Sequence, residues 1–336
     1  MAAFISLFYL LVCIYIIVNG ILNQITQRLI DGYKSSWNRL MPSKEFRPDD
    51  ASALARLFST KVISELAQNH YSTLFFDLLN ASGLTNIIEA RTTVKDVFEF
   101  AFSVLRKRDY RHEYIYKAAL FEKVQLGHHS LNTACMINEI RVGKSKADTV
   151  LFNGNATAYE IKSERDSLSR LGNQISDYYQ VFPLVNVIAG ENHIPALEHI
   201  FPEKMGILTL TRRYTITTVR SASADYSNLD HQKILNCIRI SEAKSILTKI
   251  GICIPDVPNT RIYDEISLLF DQIDLKLLHM TMVHTLKKSR SLASLGEYLA
   301  EIPTPLKSVV VSAKLRNSDK LKLLNVLNTP INKLKV

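Results

Sequence analysis

Apolar residues recur at helical spacing in the first strongly polar part of the chain. After Asp49 and Asp50, apolar side chains follow one another at intervals close to three or four residues as far as Leu66, the pattern of an amphipathic helix. Further helical patterns cover residues 71–82 and 93–107. We therefore predict a small α-helical module over residues 51–108.

The pattern changes after residue 109, where short runs with strand periodicity alternate with amphipathic helices. The predicted elements are a helix over 110–126, strands over 135–142, 148–152 and 157–162, a helix over 167–182, and a strand over 184–189. This order, α-β-β-β-α-β, predicts an α/β fold with a mixed sheet that carries helices on its faces.

The rest of the chain returns to helices. Residues 206–219 predict an edge hairpin, and the pattern is helical again beyond about residue 225. The predicted domains are an apolar segment over 1–23, a linker over 24–50, the helical module over 51–108, an α/β core over 109–220, and a helical C-terminal module over 221–336.

The N-terminal segment is apolar enough to suggest a membrane anchor. Residues 2–18 carry no charge, and a run of about 17–22 apolar residues spans a bilayer. The first basic residues follow this segment, which by the positive-inside rule leaves the rest of the chain in the cytoplasm, tethered to the inner membrane through residues 2–22. Two other interpretations remain: a buried core helix, and an extension upstream of a true start at Met41.

Charge is concentrated at the other end. The chain has a formal net charge of +9, and from His284 onward ten Lys or Arg residues face three acids. A basic module at one end suits a polyanionic partner, of which nucleic acid is the usual one. A charged helical surface that only keeps the protein in solution is the alternative.

Three residues suggest chemistry. Glu160 and Lys162 are two positions apart in a predicted strand and therefore share one face, while a tight turn at 153–155 brings Asp148 alongside them. Two carboxylates and an ammonium on one sheet surface suit hydrolysis of phosphodiester bonds with Mg²⁺ or Mn²⁺. A surface ion-pair cluster is the alternative.

Mg²⁺ prefers oxygen ligands and takes only one or two carboxylates. Asp148 and Glu160 are the expected ligands, and the backbone carbonyl of Ile161 offers a third oxygen. Glu113, in the helix that precedes the sheet, and Glu139, in the first strand, each offer a further acid, and we favour Glu113. Lys162 is expected to polarise the attacking water or to neutralise developing charge.

The second helix carries candidate substrate contacts. Gln174 and Tyr178 are four residues apart and share a helix face; an amide binds phosphate or a base edge, and a phenol stacks on a base or donates to phosphate. The alternative for Tyr178 is a place in the apolar stripe of its helix. Arg165 and Arg170 near the start of this helix are expected to contact phosphate.

These motifs resemble those of a known nuclease group. Residues 110–190 resemble the core of the PD-(D/E)XK nuclease superfamily, with Asp148 as the first acid and Glu160-Ile161-Lys162 as the ExK motif. Gln174 to Tyr178 is similar to the QxxxY motif of its RecB-like members. The stretches 138–148 and 159–166 are similar to an uncharacterised bacterial family of this superfamily. That resemblance runs from about residue 50 to near the C-terminus.

The resemblance implies a restriction-endonuclease-like core and a metal-dependent nuclease that acts on DNA or RNA. We expect DNA as the substrate before RNA, and no organic cofactor. The chain departs from the pattern at Ala147, which replaces the proline before the first acid, and only His112 is a candidate for the RecB-type histidine. Two other functions remain open: a catalytically silent nucleic-acid-binding or regulatory protein on this fold, and a membrane-tethered interaction protein.

Overall fold

The computed structural model describes residues 46–89 and 91–334. The predicted apolar segment, the tether through residues 2–22 and most of the linker lie outside these residues. Within the described part of the chain, no helix is both long and apolar enough to cross a membrane.

The described part of the chain begins with four α-helices, and polar side chains cap the beginnings of three of them. The helices are α1 (Pro48–Leu57), α2 (Thr60–Asn69), α3 (Thr73–Ala81) and α4 (Val94–Leu105). Ser59 and Ser72 each accept a hydrogen bond from a backbone N–H of the first turn of α2 and α3, and Thr93 forms a capping box with Asp96 at α4. Such side chains satisfy donors that a helix start leaves free.

The sheet has six strands in chain order. They are β1 (Cys135–Val142), β2 (Ser145–Phe152), β3 (Ala156–Lys162), β4 (Leu184–Ala189), β5 (Gly206–Leu210) and β6 (Ile216–Arg220). β1, β2 and β3 form an antiparallel meander, β3, β4 and β5 run parallel, and β6 pairs antiparallel with β5 at the edge. The predicted α/β fold with a mixed sheet and an edge hairpin is confirmed.

β2 begins earlier than its apolar pattern indicates. Val142 pairs with Ser145 across a two-residue turn, in which Gly143 has a φ of +58°, a conformation that glycine adopts without strain. The strand therefore starts at Ser145, and Asp148 lies inside it instead of opening it.

Helices cover both faces of the sheet. α5 (Glu113–Ala119) continues as a π-helical stretch, Leu120–Gln125, and packs on β3 and β1. The remaining helices before the C-terminal segment are α6 (Leu171–Tyr179), α7 (Ile194–Ile200), α8 (His231–Cys237), α9 (Ile240–Ile250), α10 (Ile262–Phe270) and α11 (Leu275–Ser289). They share one apolar core with the strands, and α6 contacts both β2 and β4.

The C-terminal segment returns to the N-terminal helices. It contains α12 (Gly296–Glu301), α13 (Lys307–Ala313) and α14 (Asn317–Leu327). α13 and α14 pack against α2, and beyond α14 the N–H of Ile331 donates to the carbonyl of Thr92 at 2.9 Å. Residues from the two ends of the described chain therefore pack side by side.

Candidate active site

Asp148 and Glu160 lie where β2 and β3 separate. Backbone pairing of the two strands ends at Thr149 and Tyr159, so the next position on each strand carries an acid. The Oδ2 atom of Asp148 accepts a 2.8 Å hydrogen bond from the N–H of Ile161. At this point a side-chain carboxylate replaces a backbone acceptor of β2, which fixes Asp148 beside β3.

The carboxylate of Glu160 is buried, with 2% of its side chain exposed. Its Oε1 atom accepts hydrogen bonds from Lys162 Nζ at 2.9 Å and Gln174 Nε2 at 2.6 Å. Its Oε2 atom lies 2.6 Å from the Tyr178 hydroxyl, which donates to it. A buried charge is tolerated only with such partners, so strand β3 and helix α6 together hold Glu160 in place.

Gln174 and Tyr178 reach Glu160 because they lie one turn apart on α6. The Gln174 amide bridges the site, since its Oε1 accepts from Lys162 Nζ at 3.0 Å while its Nε2 donates to Glu160. Tyr178 is fully buried in the core, so its ring belongs to the apolar stripe while its hydroxyl reaches the acid. The described contacts of Tyr178 are internal, and a contact between its ring and a substrate base stays a prediction.

The surroundings of Asp148 disfavour a negative charge on its carboxyl group. Burial, together with the nearby carboxylates of Glu160 and Glu113, raises the pKa of its carboxyl to about 7, although the Ile161 N–H and Lys117 act in the opposite direction. Like charges held close in a poorly solvated place disfavour ionisation. A bound cation would relieve this repulsion.

The backbone of β1 is irregular opposite Asp148. In the register of β1 on β2, Glu139 faces Asp148, but this pair is missing from the ladder. Glu139 has a φ of +62°, a conformation that is uncommon for residues other than glycine and that occurs preferentially near functional sites. Its carboxylate pairs with Lys146 at 2.8 Å and Lys117 at 3.2 Å, interactions that lower its pKa.

Glu113 is near the site but engaged with a lysine. Its carboxylate lies 2.6 Å from Lys117 Nζ, and Lys117 is mostly buried between Glu113 and Glu139. Glu113 itself is half exposed. It is close enough to affect the pKa of Asp148, but its role as a metal ligand stays a prediction.

The two arginines predicted to contact phosphate are exposed. The Nη2 atom of Arg165 donates to the carbonyl of Asp109 at 2.7 Å, which ties the segment after β3 to the start of α5. Arg170 is the residue before α6. Contact of either residue with phosphate stays a prediction.

The donor set suits a small hard cation. Across residues 46–89 and 91–334, no three His, Cys, Asp or Glu side chains come together as a metal-binding group. The candidate ligands are fewer: the carboxylates of Asp148 and Glu160 and the backbone carbonyl of Ile161. An ionised carboxylate has about four acceptor positions, of which Glu160 uses three. One or two carboxylates, with waters completing the shell, are what Mg²⁺ commonly takes, so these residues fit Mg²⁺ or Mn²⁺.

The sequence patterns did not identify two lysines of the site, Lys117 and Lys146. Lys117 follows Glu113 by four residues, a spacing at which oppositely charged side chains pair on a helix, and that signal was available. Lys146 meets Glu139 only because the β1–β2 turn is two residues long, and no motif marks this register in advance. The site thus contains three lysines and four acids: Lys117, Lys146, Lys162, Glu113, Glu139, Asp148 and Glu160.

A buried arginine fixes the end of β3. Arg111 is 1% exposed, and its guanidinium donates to the carbonyls of Leu210 and Thr211 at 2.6 Å each. It also lies 3.6 Å from Glu164, which accepts a 2.9 Å hydrogen bond from the Tyr116 hydroxyl. These contacts connect α5 and the end of β5 to Glu164, which lies two residues beyond Lys162. They hold the segment after β3 in place beside the site.

Comparison with known proteins gave one relative and one solved structure. Protein cII of Enterobacteria phage P4 is 24% identical over 202 residues, which are 57% of this chain and 75% of that protein. A structure of a protein of unknown function from Silicibacter pomeroyi matches 35% of this chain and 80% of its own, with 15% identity and a TM-score of 0.25. A TM-score this low does not show that the two proteins share a fold.

One protein family covers most of the α/β part. The family described as Bacteriophage P4 protein cII matches residues 106–297, more than half of the 336 residues. The match includes strands β1 to β6, helices α5 to α11 and every residue of the candidate active site. The chain therefore belongs to the bacteriophage P4 protein cII family.

Proposed function

We propose that this protein is a nuclease that hydrolyses phosphodiester bonds with a divalent metal ion, by a site of the PD-(D/E)XK type. One observation carries the proposal: Asp148, Glu160 and Lys162 meet where β2 and β3 separate, and Gln174 and Tyr178 hold Glu160 from α6. A surface ion-pair cluster does not require a buried glutamate with three donors.

The order of elements supports the same proposal. α5, the β1–β2–β3 meander, α6 and β4 follow one another as the α-β-β-β-α-β arrangement expected of a restriction-endonuclease-like core. The acids lie on adjacent central strands of the sheet, and the helix that follows β3 supplies their partners. A site on packed strands holds its groups more precisely than a site on loops.

Each side chain has a role that its contacts support. Asp148, Glu160 and the carbonyl of Ile161 would hold Mg²⁺ or Mn²⁺, which when bound stabilises negative charge and lowers the pKa of a coordinated water. The Lys162 ammonium neutralises charge that develops on the phosphate oxygens. Gln174 keeps that ammonium and Glu160 at fixed positions, because its amide bonds to both.

DNA is the favoured substrate and RNA the second. The exposed guanidinium groups of Arg165 and Arg170 stand at the approach to α6, where they suit phosphate oxygens. These contacts carry no sequence information, so the proposal makes no claim of a preferred base sequence.

A catalytically silent nucleic-acid-binding protein on this fold is the second candidate. The observation in its favour is that protein groups already pair with acids of the site when no metal is bound. Glu160 receives three protein hydrogen bonds, and Glu113 and Glu139 both pair with Lys117. In this candidate the same residues stabilise the fold, and nucleic acid binds without being cut.

Incubation of the purified protein with DNA and RNA substrates in Mg²⁺ or Mn²⁺ separates the candidates. Asp148→Asn keeps an acceptor for the Ile161 N–H and removes the charge, and Asp256→Asn makes the same change at an exposed loop position. Metal-dependent cleavage that Asp148→Asn abolishes and Asp256→Asn preserves supports the nuclease. Binding without cleavage in any protein supports the silent alternative.

A further inference from the structure

A cleft of about 710 Å³ lies beside the candidate active site. It runs between α5, β1, the turn from α1 to α2, the end of α11 and helix α13. Glu113, Lys117 and Glu139 form its wall nearest the site, and both Glu113 and Lys117 act electrostatically on Asp148. A ligand in the cleft would therefore contact Glu113 and Glu139 at one end.

The remainder of the cleft carries positive charge. Arg239 and Lys314 line it and are exposed, and neither takes part in an ion pair found among residues 46–89 and 91–334. Arg290 also lines it, but the buried Glu242 binds its guanidinium. Arg239 and Lys314 are thus the cations of the cleft that can serve a negatively charged ligand.

Between the two charged ends the lining is apolar with hydroxyl groups interspersed. Ile137, Leu295 and Val311 are partly exposed and supply apolar surface, and Ser291 and Ser312 supply hydroxyls. Apolar surface can lie against the faces of bases, and hydroxyls bond to base edges or phosphate oxygens. The lining therefore matches a polymer with a charged backbone and planar side groups.

The dimensions favour one strand over two. Cavities of about 300–1,000 Å³ take ligands of drug size, comparable to a short piece of a single strand. Specific binding of duplex DNA commonly buries about 1,000–2,500 Å² of protein surface, and a duplex keeps its bases stacked inside. Bases can lie against the wall of a cleft only when they are unpaired.

We propose that this cleft binds a single strand of nucleic acid, whose phosphates contact Arg239 and Lys314 and whose chain leads towards Asp148. The proposal rests on the proposed function for the polymer class and adds its strandedness and its path. It names Arg239 and Lys314 as substrate-binding residues at a distance from the reacting centre.

Fluorescence anisotropy in EDTA tests the proposal without any chemistry. The probe is a labelled oligothymidylate of about 12 nucleotides, within the usual range of single-strand site sizes, beside a duplex of the same length. The variants are the double substitution Arg239→Ala/Lys314→Ala and a control, Arg261→Ala/Lys276→Ala, which removes two exposed cations at α10 and the far end of α11.

We expect the cleft variant to bind the single strand about ten-fold more weakly, with a salt-dependence slope smaller by about 1.4, since each phosphate contact to a single strand contributes about 0.7. The control should bind like the unmodified protein, and the duplex should bind more weakly than the single strand. Equal binding by the cleft variant and the control, or a preference for the duplex, would overturn the proposal.

The outcomes for the cleft and for the nuclease are separable. Cleft-dependent binding of the single strand without cleavage in any metal leaves the cleft proposal standing and removes the nuclease. Metal-dependent cleavage, with single-strand binding that is unchanged by Arg239→Ala/Lys314→Ala, leaves the nuclease standing and removes the cleft proposal.

Discussion

The hydroxyl of Tyr178 on α6 lies 2.6 Å from Oε2 of Glu160 on β3. The same hydroxyl lies 2.8 Å from the carbonyl of Lys146 on β2, so one phenol touches both strands that carry the acids. Burial and the neighbouring Glu160 raise the pKa of Tyr178 far above its ordinary value, and the group therefore remains a proton donor. Helix α6 positions the site as well as filling the core.

Tyr178→Phe should lower the free energy of unfolding by about 1–3 kcal/mol, because a buried carboxylate loses a donor while the ring stays in place. Tyr179→Phe is a matched control on the next residue, since the Tyr179 hydroxyl is buried without a hydrogen-bond partner in the described structure. Urea unfolding of both variants measures the difference. Equal effects of the two substitutions would show that the Tyr178 hydroxyl does not support Glu160.

Asp148→Asn should stabilise the protein in the absence of metal. The substitution removes one of the like charges that burial and Glu160 make unfavourable, and an amide oxygen can still accept from Ile161. A gain on the order of 1 kcal/mol corresponds to about 2–4 °C in melting temperature for a domain of roughly this size. Thermal unfolding in EDTA, beside Asp256→Asn, measures it; a lower melting temperature for Asp148→Asn contradicts the electrostatic interpretation.

Glu242 should make the protein sensitive to acid. Burial opposes its ionisation, but hydrogen bonds from Arg290, the Arg239 N–H and Ser289 prevail and lower its pKa to about 2 from 4.5. A carboxylate with a depressed pKa stabilises the fold above about pH 4.5, and this contribution disappears as the pH falls towards 2. Glu242→Gln should cost about 3 kcal/mol at neutral pH, as expected for a broken buried pair, and flatten the pH dependence over that interval.

His279 should act in a different pH interval. It is fully buried on α11, both ring nitrogens lack a hydrogen-bond partner among the described residues, and burial lowers its pKa to about 4 from 6.5. Between these values only the unfolded chain binds the proton, so stability falls as the pH drops from 6.5 to 4. His279→Leu should remove this dependence and leave the lower interval of Glu242 intact. Unfolding curves at a series of pH values separate the two.

Local patterns predicted the parts of the site that depend on strand geometry. Alternation along β3 was enough to place Glu160 beside Lys162, and the turn at 153–155 was enough to bring Asp148 near them. Helical spacing paired Gln174 with Tyr178. Each of these inferences depends on residues close in sequence, where periodicity is reliable.

Interactions between distant elements were not predictable in the same way. The positive φ of Glu139 and its contact with Lys146 depend on the register of two strands. The cleft with Arg239 and Lys314 joins segments from both ends of the described chain, which no local pattern connects.

Single-turnover cleavage of a labelled DNA strand by saturating protein in Mg²⁺ tests the nuclease proposal most directly. We expect the unmodified protein to cut, EDTA to stop the reaction, and Asp148→Asn and Lys162→Ala each to lower the rate by about 10²–10³-fold, the effect of removing one charge-stabilising group from an active site. Asp256→Asn should cut at the normal rate. Cleavage by Asp148→Asn at the rate of the unmodified protein, or no cleavage of DNA or RNA in Mg²⁺ or Mn²⁺, would contradict the proposal.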